Sequence, residues 1–140
     1  MSVALNTALS GLTAATRRLD ASASNTANAR TTGPLPAGGD LAAVRATPPS
    51  GSPYVPVQAS DTAQLTGGVR ASLAPMSPAL YAEYQPDSPD ADARGLVAAP
   101  NVDLARETVQ QMTAGAAYKA NAKVAQTADE MLKSVFDMKA

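Results

Sequence analysis

Three aspartates, Asp87, Asp90 and Asp92, stand in the stretch Pro-Asp-Ser-Pro-Asp-Ala-Asp-Ala-Arg-Gly, and closely spaced carboxylates are the raw material of a calcium loop. With Asp90 at loop position one, Gly95 falls at position six as such a loop requires, but Arg94 occupies a ligand position and Asn101 stands where a bidentate glutamate belongs. The stretch therefore reads as a turn, because Asp, Ser, Pro and Gly supply the side-chain bonds and backbone angles that turns require. A second group, Ser22, Ser24, Asn25, Thr26 and Asn28, offers hydroxyls and amides, yet has no base to activate a nucleophile. Taken alone it reads as a fraying helix end, where short polar side chains compete for backbone groups. Lys119, Lys123 and Lys133 fall on solvated or interfacial helix positions with nothing converging on them.

Histidine and cysteine are both absent, which removes the commonest general base, the commonest zinc ligands and any disulfide framework. The expectation is a non-enzyme with no catalytic residues, no metal and no cofactor. A net charge of −1 gives no basic footprint for nucleic acid and no polybasic segment for an anionic membrane. The first residues lack a cationic region followed by an apolar one, and no run approaches the ~18 apolar residues of a membrane span. Neither a cleaved signal nor lipid insertion is expected; export would need another route.

These few polar groups must be positioned by elements with little bulk. At 140 residues the chain suggests one unit, and much of its 45% hydrophobic content is alanine, with only Tyr54, Tyr81, Tyr84, Tyr118 and Phe136 as aromatics. At roughly 25 cal/mol per Å² of apolar burial, alanines offset little of the ~1–2 kcal/mol of backbone entropy per ordered residue, so the monomer should be marginal. All eleven prolines and seven of nine glycines lie between Gly33 and Pro100. That divides the chain into an amino-terminal assembly helix in 1–32, a Pro/Gly-rich insertion in 33–99 and a carboxy-terminal assembly helix in 100–140.

In the first segment Leu5, Leu9, Leu12, Thr16, Leu19, Ala23 and Thr26 recur at spacings of four and three, the seam of a helix that packs lengthwise on another. A helix over about 3–28 is expected, ~40 Å long, and too thinly apolar to stand alone. In the last segment Asn101 can cap a helix with Asp103 in its first turn. Ala105, Val109, Met112, Ala116, Ala120, Val124, Ala128, Met131, Val135 and Met138 then form one stripe with a mean period near 3.7, closer to an eleven-residue repeat than to a heptad. The middle is broken by Pro48-Pro49, Gly51, Pro53, Pro56, Gly67-Gly68, Pro75, Pro78, Pro86 and Pro89, which excludes helix. Tyr54 to Gln58, Val69 to Leu73 and Leu80 to Tyr84 could extend as a small hairpin or meander turning at Gly67-Gly68, or the insertion could carry no regular structure. The fold class is mainly α: long terminal helices pairing as a coiled-coil-like bundle around a loop or small β insertion.

Ala-Ser-Asn-Thr-Ala-Asn-Ala at 23–29, with Ser10-Gly11-Leu12 and Arg18-Leu19-Asp20 before it, resembles the amino-terminal signature of the rod and hook family of flagellar axial proteins. Met112, Tyr118-Lys119-Ala120-Asn121, Val124, Thr127-Ala128 and Met131-Leu132 resemble that family's carboxy-terminal signature. Pro89 to Val97, Pro100-Asn101-Val102, Tyr54-Val55-Pro56-Val57 and Gly67-Gly68-Val69 resemble its proximal-rod, FlgC-type members, the likeness thinning between Thr32 and Ser52.

The resemblance implies a subunit exported unfolded by the flagellar type III apparatus. It implies folding as the chain joins other rod subunits and copies of itself in a periplasm-spanning, torque-transmitting tube of the basal body. On that view Leu5, Leu9, Leu12 and Leu19 face a helix of the same subunit or its neighbour, with Met112, Tyr118, Val124, Met131 and Val135 on the other side. Asn25, Asn28 and Asn121 are the motif amides expected to bond between subunits, since buried amides need partners. The rival reading is a secreted, largely disordered protein that folds on a receptor or chaperone; two complementary terminal seams favour the tube.

Overall fold

The computed structural model describes residues 2–36, 41 and 52–138. Residues 37–40 and 42–51 lie outside that range, and with them the breaks expected at Pro48-Pro49 and Gly51. Two long helices, α1 (Ser2–Ala27) and α2 (Leu104–Asp137), flank four strands: β1 (Val57–Ala63), β2 (Val69–Pro75), β3 (Leu80–Tyr84) and β4 (Leu96–Pro100). The mainly α class with a β insertion is what the structure shows.

The helices run antiparallel. Asn25 of α1 meets Glu107 of α2 at one end, and fourteen residues further along each helix Gly11 lies against the Asn121 side chain. Continued, this register brings Ser2 opposite Glu130, so the turns of α2 from Met131 onward run past α1. The start of α2 corrects the expected cap. Asp103 is the N-cap, its carboxylate accepting from the backbone amides of Ala105 and Arg106. Asn101 instead donates to the carbonyl of Pro78 at 3.0 Å and is held outside the helix. A carboxylate satisfies two free amides and also sits in the favourable field of the helix N-terminus, which an amide side chain does not exploit.

The insertion makes two separate antiparallel hairpins, β1–β2 and β3–β4. The first begins three residues later than expected, because Val55 and Pro56 are buried as a docking segment and proline has no amide to give a ladder. It lies along α1: the Val69 amide donates to Ser10 Oγ (3.1 Å), Arg17 donates to the Ala71 carbonyl (3.1 Å), and Arg18 pairs with Asp61. The turn at Gly67-Gly68 forms as expected, with φ of +86° and +91°. A Cβ on Gly68 would also strike Ser10. Gly68→Val is therefore expected to destabilise the chain by about 2–3 kcal/mol, from left-handed strain plus the clash. Thermal melting with amide exchange across 57–75 checks it, and unchanged protection there would contradict the docking described.

β4 was not anticipated. Leu96–Pro100 is a continuous apolar run with Val97 and Ala98 fully buried, so it shows none of the alternation that marks a half-exposed strand. It pairs with β3, and Ala98 exchanges both backbone hydrogen bonds with Gly33, tying the exit from α1 to the entry to α2. Val55, Ala79, Leu80 and Ala98 form the small core beneath, with Leu35 and Leu41 packed on it.

Candidate functional site

The face of α1 that meets α2 carries Ala8, Gly11, Ala15, Ser22 and Asn25, a 3–4 row of small and polar residues. Its counterpart on α2 is Glu107, Gln111, Ala114, Asn121, Ala125 and Ala128, also at heptad positions. Small residues let the two backbones approach closely, and polar ones fix the register. Neither row is a hydrophobic stripe.

Asn25, 1% exposed, is the hub. Its Nδ2 donates to the Val57 carbonyl (2.8 Å) and to Glu107 Oε1 (2.9 Å). Its Oδ1 accepts from the Val57 amide (3.0 Å) and the Tyr54 hydroxyl (2.9 Å). One amide thus joins α1, α2 and the start of β1 with its donors and acceptor engaged. Ser22, also buried, donates to the backbone carbonyl of Glu107 (3.0 Å). The polar cluster of 22–28 is not a frayed end, since α1 continues to Ala27 and the cluster's inner members are buried. Burial first, and then the Glu107 carboxylate, pushes the Tyr54 hydroxyl above its ordinary pKa. The neutral phenol is what this arrangement favours, so Tyr54's contribution is complete below the usual tyrosine range and is lost as pH rises through the raised value. A cleft of about 70 Å³ beside this network is lined by Arg18, Gln58, Met76, Arg106 and Glu107.

The aspartate-rich stretch is a turn. Asp92 Oδ1 accepts from the amides of Arg94 (2.8 Å) and Leu96 (3.0 Å), and Gly95 takes φ +75°. The Leu96 amide and Arg94 hold the Asp92 carboxyl below its usual range. Its oxygens are thus spent on closing the loop into β4.

The large side chains of the expected interface lie elsewhere. Leu5, Leu9 and Leu19 are exposed and Leu12 half-buried, while Met112, Tyr118, Val124, Met131 and Val135 are all exposed. Apart from half-buried Leu12, the Leu stripe of α1 and the Val/Met stripe of α2 stay exposed among the described residues. Asn28 donates to the Ser24 carbonyl (2.9 Å) and Asn121 to the Ala117 carbonyl (2.8 Å), so both of these, like Asn25, bond inside the subunit. Glu107 and Tyr54 were missed as members of the site. The readable signal was the row Glu107, Gln111, Ala114, Asn121, Ala125, whose heptad spacing is hidden from a search for apolar residues.

Two family profiles match the chain: residues 5–34 fit "Flagella basal body rod protein", and residues 93–138 fit the C-terminal region of flagellar basal body rod FlgEFG proteins. The flagellar basal-body rod protein FlgC of Yersinia enterocolitica is 36% identical over 129 residues, covering 88% of this chain and 86% of its own. That of Salmonella typhimurium has the same identity and coverage, and that of Borreliella burgdorferi is 33% identical over 141 residues, covering 93% and 91%. The matched ends are the paired helices, and the FlgC matches run through the insertion as well. With that identity across most of both chains, this protein belongs to the FlgC family of flagellar basal-body rod proteins.

Proposed function

We propose that this chain is a non-enzymatic structural subunit of the proximal rod, joining copies of itself and other rod subunits into a hollow, torque-transmitting shaft. The observation that carries this reading is the outward placement of two apolar stripes. Leu5, Leu9 and Leu19 on α1, and Val109, Met112, Val124, Met131 and Val135 on α2, all lie 40–70% exposed. So long an unpartnered apolar surface on a small chain marks an interaction site. The inner seam leaves those side chains available to neighbours, and its buried Asn25 and Glu107 hold the two helices in one register so that both stripes are presented at fixed positions.

Export in an unfolded state through the type III apparatus, at the base of the periplasm-spanning rod, is compatible with a chain that has no disulfide to form and a small core. No described helix is long and apolar enough to cross a membrane. The test is mass spectrometry of detergent-extracted hook and basal-body particles. The chain is expected in a fixed ratio to the other rod subunits; its absence from intact particles and presence in the medium would favour a secreted partner-binding protein.

A further inference from the structure

α1 and the β1–β2 hairpin leave between them an open groove of about 530 Å³, bordered by Leu9, Thr13, Arg17, Gln64 and Arg70. That volume lies within the ~300–1,000 Å³ of built recognition pockets. Its charge is one-sided, because two guanidiniums line it and no carboxylate does. Arg17 is anchored by its bond to the Ala71 carbonyl, and Arg70 is exposed on β2. Leu9, 59% exposed, supplies an apolar wall with no occupant among the described residues.

The same chain carries a segment of matching character. Beyond Glu130 the α2 helix has no α1 opposite it, yet Met131, Val135 and Phe136 are 63–68% exposed there. Asp129, Glu130 and Asp137 accompany them, against Lys133, which is already paired with Asp129, and Lys139, which lies beyond the described residues. A helix end that is acidic and apolar, ~12 Å long and without a partner has no reason to stay ordered unless something covers it.

We propose that the carboxy-terminal turns of α2 from a second copy of this chain, residues 130–138, dock in the groove, with Val135 and Phe136 against Leu9 and the carboxylates of Glu130 and Asp137 toward Arg17 and Arg70. This deepens the rod reading and rests on it. Groove and helix end are different surfaces, so the contact is head-to-tail. A head-to-tail contact whose rotation does not close builds an open helical array rather than a dimer.

The chain has no cysteine, so Leu9→Cys and Val135→Cys each introduce a single thiol at an exposed position. The two variants are co-expressed in cells lacking the natural chain, hook and basal-body particles are purified, and a short bismaleimide is added. A dimer joined through positions 9 and 135 is expected, about tenfold above that formed when Val109→Cys replaces Val135→Cys, because docking raises the local thiol concentration. Equal yields in particles containing both chains would overturn the docking and leave the rod reading standing. Particles lacking the chain would overturn both. As a second measurement, Arg70→Glu should lower incorporation at least about fivefold by setting like charges together, and Glu130→Arg should restore it. Normal incorporation of Arg70→Glu also overturns the proposal.

Discussion

Asn25→Asp is expected to separate the two helices and release the first hairpin in one step. The substitution is nearly isosteric, so packing is kept, but both donors become acceptors. The Val57 carbonyl loses its bond, and a second carboxylate is set against Glu107, itself 5% exposed and deprived of its amide partner. Each buried polar group left unpaired costs about 1–3 kcal/mol, and an uncompensated buried charge about 3–5 kcal/mol. A loss of about 4 kcal/mol or more is therefore expected, a large part of the ~5–15 kcal/mol of an ordinary domain. Urea unfolding followed by circular dichroism would read it, with amide exchange over 57–75 reporting the hairpin. Adding Glu107→Gln should recover part of the loss, since a glutamine Nε2 can donate to the new carboxylate. The double-mutant cycle should thus show strong coupling, and two additive single effects would mean that Asn25 and Glu107 do not act together.

The second large effect concerns assembly and should leave the isolated chain untouched. Val109 and Val124 are 60% and 50% exposed, so Val109→Asp with Val124→Asp removes little packing, and the monomer's stability should change by no more than about 0.5 kcal/mol per site. In a rod where neighbours cover this stripe, each aspartate would be taken out of water against apolar side chains, at a cost of several kcal/mol. Repeated at every subunit, that penalty should abolish incorporation into the rod and swimming motility. Soft-agar spreading and the composition of purified particles measure it. A motile double variant would place the subunit contacts on another face.

The two experiments separate two seams that look alike in sequence. The inner seam is small and polar, and what it does is hold α1, α2 and the hairpin in register. The outer stripes are large and apolar, and most of their side chains stay exposed among the described residues. Periodicity alone finds the second kind, because Leu, Val and Met dominate any count of apolar residues at helical spacing. It overlooks the first, where alanine contributes little signal and Ser22, Asn25, Glu107 and Gln111 count as surface. Burial of Asn25 and Glu107 follows only once each supplies the other's hydrogen bond, a fact that belongs to the pair and to neither residue.

The chain's local chemistry, read from the sequence alone, determined a helix over most of the first 28 residues, a second helix after Pro100, a glycine turn at 67–68, extended segments after it, and a turn rather than a cation loop around Asp92. Each of these depends on residues close together in the chain: spacing for the helices, positive φ for Gly67 and Gly68, short polar side chains for the Asp92 turn. Both terminal motifs were also legible, since they are strings of neighbours. Only the tertiary structure decided that Asp103 rather than Asn101 caps α2, that Leu96–Pro100 is a strand tied to Gly33, and that the apolar stripes face outward while Asn25 joins three elements. These outcomes turn on contacts between residues as far apart in the chain as Asn25 and Glu107 or Gly11 and Asn121, where one amide's bonds and the close approach of small side chains settle which helix face is inside.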